Sequence, residues 1–527
     1  MTFRVLVADP IAQDGVSLLE RVAQVDVRTG AAPEQLREWI GEYDALVVRS
    51  ETKVTADLIE AGKKLQVIGR AGVGVDNIDI PAATRCGIIV VNAPTGNTIS
   101  AAEHAIALML ALARHIPQAD ASLRRHEWKR SQFIGVELRG KTLGVIGLGQ
   151  VGSEVARRGR GLEMRVLAFD PFVPEERGKA IGAELVDLNC LLSSADFISV
   201  HTTLTQGTRG LIGAEEIALM KPSVRLINTA RGGIIEEEAL LAAVKEGRVA
   251  GAAVDVFATE PAPDTALSAD DRIIVTPHLG ASTTEAQERV AVDVAEQIVA
   301  VLQGEPARYA VNAPLIPPEA LSMLKPFIEA AVMAGAIATQ LSRGQLGDIE
   351  IRYNGELSLH DTSVLRAAVI RGLLKPISEE NVTVVNADLV AEHRGLHVVE
   401  HKDPQADEGI GNAVGVRLKA SGGTTEIVAG VEHGEPHIVM VDGLRVDVSP
   451  SDEFLLILDN QDIPGMIGQV GMLMKEFDIN ISSMKVGRRE ARGRALMVLG
   501  LDEAPSEGQL SRVESIPNIF SARLVRL

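Results

Sequence analysis

The chain runs to 527 residues with 71 acidic and 52 basic side chains, a formal charge of −19 and only 3% aromatics. At roughly 100–200 residues per domain this length predicts about three to five domains, and the acidity together with the scarcity of stacking rings excludes a nucleic-acid platform. Cys86 and Cys190 are the two cysteines, too few for a disulfide framework; residues 3–8 are too short for a signal segment and no run of about 18 apolar residues occurs, so the expectation is a soluble cytoplasmic protein.

The short apolar runs Val5–Ala8, Ala45–Val48, Val67–Ile68 and Ile88–Val91 are closed by polar or glycine-containing turns, which predicts parallel strands alternating with helices. Thr98–His115, rich in Ala and Leu without Gly or Pro, predicts one long helix. A second strand series follows at Lys141–Ile146, Arg165–Phe169, Phe197–Val200, Arg225–Asn228, Gly251–Val254 and Ile273–Val275, then a helix over about Thr284–Leu302. Six βα steps of this kind predict a doubly wound, Rossmann-like nucleotide-binding fold. The string Val311–Pro314, with Pro317 and Pro318, marks a linker.

Residues 319–450 mix a helix (Leu321–Gln340), strand-like runs (Asp348–Tyr353, Ile438–Val441) and a Gly422–Gly423 turn, an α+β texture without a catalytic pattern. From Glu453 the order is strand Phe454–Leu458, helix Gly465–Glu476, strands Ile479–Val486 and Arg494–Leu501, helix Ser506–Val513 and strand Ser521–Val525. That βαββαβ sequence predicts a small ferredoxin-like sandwich.

Gly147-Leu148-Gly149-Gln150-Val151-Gly152 stands between a strand and a helix, and Asp170 ends the next strand. In that context the three glycines serve a tight turn, the close approach of backbone to a pyrophosphate, and helix–strand packing. Asp170 would accept from both ribose hydroxyls and repel a 2′-phosphate, which points to NAD rather than NADP. Arg231, Glu260 and His278 each follow a predicted parallel strand, at the end where such sheets bind ligands. Their chemistry is complementary: a guanidinium grips a carboxylate, an imidazole takes a hydroxyl proton, and an acid fixes the imidazole's tautomer. No metal-ligand spacing is read.

Gly147–Gly152, Asp170, Asn228–Gly233, Glu260–Pro261 and Pro277–Thr283, in that order, resemble the D-isomer-specific 2-hydroxyacid dehydrogenase family over residues 1–314. The resemblance implies catalytic roles for Arg231, Glu260 and His278. It also implies cofactor contacts from Gly147, Gly149, Gln150, Val151, Gly152, Asp170, Thr202, Thr229, Ala230, Arg231, Asp255, His278, Gly280 and Ala281. It further implies a flavodoxin-like, discontinuous substrate domain (1–97 and 285–314) around an inserted NAD domain (98–284), with hinges at the 98–115 helix and near 284.

Arg49–Val54, Gly69–Asn77, Gly96–Thr98 and the C-terminal extension are similar to the long, phosphoglycerate-oxidising branch of that family, with an intervening domain (319–450) and an ACT-type regulatory domain (453–527). That branch implies NAD-dependent oxidation of 3-phospho-D-glycerate to 3-phosphohydroxypyruvate, the first step of L-serine biosynthesis. Arg49, Ser50, Arg70, Val73, Gly74, Asn97, Arg231 and His278 would hold the substrate. Lys129 and Arg130 follow Trp128 and either reach a neighbouring subunit's substrate or form a solvated turn; Asn97 either binds substrate or caps its helix. A homo-oligomer, dimer or tetramer, is implied. L-serine is the implied feedback effector, with Asn460, Asp462 and Asn480 as its contacts, unless Asp462 and Pro464 only shape a turn. A dehydrogenase for another D-2-hydroxy acid and an NAD(H)-sensing scaffold are the alternative readings.

Overall fold

The computed structural model describes residues 3–314, 318–378, 380–405, 410–448 and 453–527; Pro317 of the linker lies outside them. Strands β1 (Phe3–Val7), β2 (Ala23–Val27), β3 (Ala45–Val48), β4 (Val67–Arg70) and β5 (Ile89–Asn92) form a parallel sheet in the order β2-β1-β3-β4-β5. This is the flavodoxin-like order. One face is closed by the helix Thr284–Leu302, whose Val290, Val294, Ile298 and Val301 pack against Val5, Val7, Val47 and Val67. The first sheet is therefore completed by chain from beyond residue 284.

The second sheet is also all parallel. It comprises β6 (Thr142–Ile146), β7 (Arg165–Phe169), β8 (Glu184–Leu185), β9 (Phe197–Val200), β10 (Arg225–Asn228), β11 (Gly251–Val254) and β12 (Ile273–Val275), ordered β12-β11-β10-β9-β6-β7-β8. Its strand order reverses at β6, so β6 and β9 flank the crevice where a Rossmann-type sheet takes a dinucleotide. The helix Thr98–Arg114 buries Ala102, Ala105, Met109 and Leu112 against this sheet. It stops one residue short of expectation because His115 adopts φ +52, and a second helix, Ile116–Arg124, leaves at an angle.

Beyond Pro318, β13 (Leu346–Asn354), β14 (His397–Asp403), β15 (Ala413–Ala420), β16 (Gly423–Glu432), β17 (Glu435–Val441) and β18 (Leu444–Val448) form a sheet ordered β14-β13-β15-β16-β17-β18. Only the β13–β14 pair is parallel. The expected glycine turn is the β15–β16 hairpin, with Gly423 at φ +139. The last sheet, β20-β21-β19-β22, is antiparallel and consists of β19 (Phe454–Gln461), β20 (Ile481–Arg488), β21 (Arg494–Leu501) and β22 (Ile519–Arg526). With its two helices it makes the expected βαββαβ sandwich.

Alternation along β19 divides two cores. Leu456 and Leu458 face the sandwich's own helices through Met466, Val470 and Met474. Leu455 and Ile457 point the other way, into a core built from the helix Pro318–Leu341 (Leu324, Phe327, Ala331, Ile337) and the preceding sheet. Segments 319–450 and 453–527 thus share buried residues rather than each closing a core alone. Ala320–Leu341 is long and apolar enough to cross a membrane, yet it is a core helix here.

Candidate active site

The glycine turn after β6 is shaped by close contacts. Gly147 takes φ +90 and donates its amide to the Phe169 carbonyl at 2.9 Å. A Cβ at Gly147 would come within 2.6 Å of the His201 carbonyl oxygen, and one at Gly152 within 1.9 Å of the Gly147 carbonyl oxygen. Gly149 differs: a Cβ there would meet nothing within 4 Å, and the residue begins the helix Gln150–Gly161 with no side-chain cap. The free amides of that helix therefore open onto a cradle suited to an anion. Asp170 is fixed beside it, accepting from the Leu148 amide at 2.8 Å and the Phe172 amide at 3.0 Å.

At the end of β10, the buried Asn228 accepts from the Ala230 amide at 3.1 Å and donates to the Arg231 carbonyl at 3.0 Å, which sets the turn that projects Arg231. Thr229 is buried there with its Oγ1 unpartnered. An open helix terminus, a fixed Asp170 and an orphaned hydroxyl fit a dinucleotide with free riboses and an amide to satisfy.

After β12 the loop 276–280 gathers round Asp255. That fully buried carboxylate accepts from the Leu279 amide at 2.8 Å, the Gly280 amide at 3.0 Å and the Thr276 hydroxyl, and lies 3.2 Å from His104 Nε2. Burial opposes its charge, but these donors prevail and hold its pKa below the ordinary aspartate value. Asp255 was expected among the cofactor contacts; enclosed in this way, it organises the loop. His278 follows at φ +54 with its amide on the Asp255 carbonyl at 2.8 Å, and its Nδ1 lies 2.8 Å from Glu260 Oε2. Glu260 Oε1 accepts from the Phe257 amide at 3.0 Å. Burial works against the Glu260 charge too, and the bonds from His278 and Phe257 outweigh it, keeping this carboxyl below its usual range. The Arg231 turn abuts the same segment, since a Cβ on Gly232 would collide with the Phe257 carbonyl.

The first sheet supplies the opposite wall. Arg231 Nε reaches Asp76 Oδ2 at 3.2 Å, and its guanidinium lies against Gly74, where a Cβ would come within 2.1 Å of Nη2. Arg70, at the end of β4, donates from Nε to Asn77 Oδ1 at 3.2 Å. Asn77 in turn donates to the Arg49 and Thr52 carbonyls, and the buried Asp9 receives the Arg49 amide at 2.6 Å. Arg49, Arg70 and Arg231 are thereby clustered. Burial first, then repulsion from Arg231 and Arg49 against the pull of Asp76 and Asp9, pushes the Arg70 guanidinium down to about 10. A nest of guanidinium groups that disfavours its own charge is a site that favours a polyanion.

A His–Glu pair beside a guanidinium cluster, facing a dinucleotide cradle, suits removal of a hydroxyl proton from an anionic hydroxy acid. Residues 106–280 match the model described as "D-isomer specific 2-hydroxyacid dehydrogenase, NAD binding domain", and residues 323–442 the "D-3-phosphoglycerate dehydrogenase intervening domain". The chain is 48% identical to the D-3-phosphoglycerate dehydrogenase of Synechocystis sp., across 99% of this chain and 95% of that one. It belongs to the D-3-phosphoglycerate dehydrogenase family. The namesake enzyme of Methanocaldococcus jannaschii is 46% identical over 99% of this chain and all of its own. Among solved structures, the Aquifex aeolicus D-lactate dehydrogenase complexed with NAD and lactic acid is 28% identical, with TM-score 0.53, covering 59% of this chain and 99% of that one. The family's NAD-binding fold is thus part of this chain, and NAD is its cofactor.

Other expected contacts divide. Gln150 and Val151 open the helix that follows the glycine turn, Thr202, Ala230, Gly280 and Ala281 lie in loops after parallel strands, and Gln150 Oε1 accepts from the Thr98 hydroxyl at 3.2 Å. Ser50, Val73 and Gly74 belong to the loops that carry the arginine cluster. Asn97 begins the helix Thr98–Arg114 but its side chain makes no cap, so the cap explanation does not hold. Lys129 is paired with Glu127 at 3.1 Å on an exposed loop, and among the described residues neither it nor Arg130 bonds to the cluster.

The three effector positions do not converge within one chain. Asp462 is engaged by Arg488 and by the Arg492 amide at 3.2 Å, while Asn480 donates to Asp502 at 2.8 Å. β19 runs from Phe454, opposite Leu501, through Asn460, opposite Ala495, to Gln461, and β20 starts opposite Leu501. Asn480 is therefore at the far end of the sheet from Asn460 and Asp462, roughly 20 Å away at about 3.3 Å per residue. Asp76 and His104 carry no local sequence signal of their part in the site: Asp76 lies inside the Gly69–Asn77 run, and His104 in an Ala- and Leu-rich helix.

Proposed function

We propose that this chain oxidises 3-phospho-D-glycerate to 3-phosphohydroxypyruvate with NAD, the first step of L-serine biosynthesis. The observation that carries the proposal is the arginine cluster of Arg49, Arg70 and Arg231 set against the His278–Glu260 pair. A hydroxy acid carrying both a carboxylate and a phosphate answers three guanidinium groups better than an uncharged side chain does.

The roles follow from position. Arg231 binds the substrate carboxylate and orients C2. His278, held through Nδ1 by Glu260, presents Nε2 to the C2 hydroxyl and takes its proton, while Glu260 stabilises the imidazolium that forms. Asp255 holds the backbone of residues 278–280 so that the ring stays in place. NAD, when bound, supplies the acceptor for the hydrogen leaving C2 with its electron pair. Gly149 and the amides of its helix would hold the pyrophosphate, and Asp170 the adenosine ribose.

In this reading residues 1–97 with 285–314 bind substrate and 98–284 bind NAD. The protein is cytoplasmic and homo-oligomeric; exposed Trp128 and Ile134 on one loop support a covering second copy. Feedback by L-serine at the C-terminal sandwich is supported by Asn460, buried with Oδ1 unpartnered beside the Asp462 loop. The test is NADH formation by purified protein with 3-phosphoglycerate, D-glycerate or D-lactate, each with and without L-serine. Turnover of phosphoglycerate no better than that of the unphosphorylated acids would reject the substrate.

A further inference from the structure

The arginine cluster faces two acids, and they are built differently. Asp9 is buried and immobilised by the Arg49 and Thr52 amides and the Thr52 hydroxyl. Asp76 has a side chain 73% exposed, and it meets Arg231 across the cleft, from the first-sheet wall to the second-sheet wall. The edge of Arg231 that it meets is the informative part. Nη1 is spent on the Ala230 carbonyl at 2.8 Å, which leaves Nε and Nη2 as the fork for a carboxylate. Asp76 Oδ2 sits on Nε at 3.2 Å, and both groups crowd the space above Gly74.

A carboxylate of this chain thus sits where a substrate carboxylate would bind. We propose that Asp76 is an internal stand-in for that group: it neutralises Arg231 before substrate binds and is displaced when a 2-hydroxy acid arrives, so that it sets the affinity for the carboxylate end of the substrate. The proposal rests on the assignment of Arg231 as the carboxylate ligand. An exposed ion pair is weak and exchangeable, which suits a partner that must leave. Its effect is a discount on carboxylate binding, and removing it should tighten binding, the opposite sign from loss of a structural contact.

The test is Asp76→Asn in the full-length protein, with Asp76→Ser as the substitute should the first variant not fold. The expected result is a KM for 3-phosphoglycerate lowered about three- to five-fold. D-glycerate should gain by the same factor, and inhibition by glycerol 3-phosphate, which has no carboxylate, should change by less than two-fold. A raised or unchanged KM overturns the proposal. Equal gains for D-glycerate and glycerol 3-phosphate overturn it too, since the effect would then be general charge and not mimicry. Arg231→Ala separates this failure from that of the site itself: if Arg231→Ala leaves KM for carboxylate substrates unchanged, the parent assignment has failed. If it raises KM while Asp76→Asn is silent, only the stand-in has.

Discussion

His278 sits in left-handed backbone, φ +54, a conformation uncommon for non-glycine residues that histidine tolerates better than most and that its surroundings here hold in place. The holding groups are the Asp255 carbonyl on its amide and the Asp255 carboxylate on the two amides that follow. The ring is consequently aimed by two acids: Asp255 through the backbone and Glu260 through Nδ1. His278→Ala should lower kcat by about 10²–10⁴-fold with a much smaller change in KM, because proton removal belongs to the transition state. Glu260→Gln should keep the hydrogen bond yet lose the charge, and its kcat should fall less than that of His278→Ala. Steady-state kinetics check both, and a His278→Ala enzyme within a few-fold of the parent would reject the base. At this scale sequence patterns revealed the residue types that carry the chemistry, because each follows a strand in a recognisable run. The partners of Arg231 and Asp255 were not legible: Asp76 and His104 come from segments 155 and 151 residues away, and no local pattern reports contacts at that separation.

Within the two parallel sheets, elements were legible largely in proportion to their burial. β3, β7, β9, β10, β11 and β12 were read with their observed ends, as continuous apolar runs covered on both faces. β2, β8 and β14 were missed, and so were β15, β16 and β18, although β15 and β16 are central and largely buried. β2, β8 and β14 are edge strands with much exposed surface, so their sequences read as polar turns. The effector misplacement has a related cause. A helix between two strands returns the chain to the end where the first strand began, so the start of β20 cannot adjoin the end of β19.

The turn into β12 makes a prediction at this scale. Arg272 grips Asp270 with Nε at 2.9 Å and Nη2 at 2.7 Å, and its amide adds a third bond at 3.0 Å. The Arg272 side chain, then burial acting against it, leaves the Asp270 carboxyl at about 2. A carboxyl lower in the folded than in the unfolded chain stabilises fully above the ordinary aspartate range, and that contribution disappears as pH falls through about 2. Discounted for the half-exposed Arg272, Asp270→Asn should cost about 1 kcal/mol at pH 7. Urea denaturation should show the gap between variant and parent narrowing steadily below pH 4; a gap that stays constant with pH would mean that the turn, not the charge, is what the substitution damages.

For the whole molecule, the distribution of buried residues says which pieces stand alone. Among the described residues the cores of the two parallel sheets contain no member beyond Ala307, and Asn312 secures the end of that half by donating to the Ile88 carbonyl at 2.9 Å and accepting from the Val90 amide at 2.8 Å. What joins it to the rest includes the polar bonds of Thr383 to the Gly87 carbonyl at 3.0 Å and of Asn386 to the Arg85 carbonyl at 3.3 Å. The other half is different, because Leu455, Ile457, Leu496, Val498 and Val525 complete the core around the helix Pro318–Leu341. At about 1.5–3 kcal/mol for each buried side chain, removing these five takes away an amount comparable to the whole stability of a typical domain, about 5–15 kcal/mol. A fragment of residues 1–314 should therefore unfold cooperatively and still bind NAD. A fragment of residues 1–450, although longer, should carry an unfolded or aggregating C-terminal third, detected as increased protease cleavage between residues 318 and 448 with residues 1–314 left intact. A 1–450 fragment as resistant in that segment as the full chain would show that the shared core is dispensable.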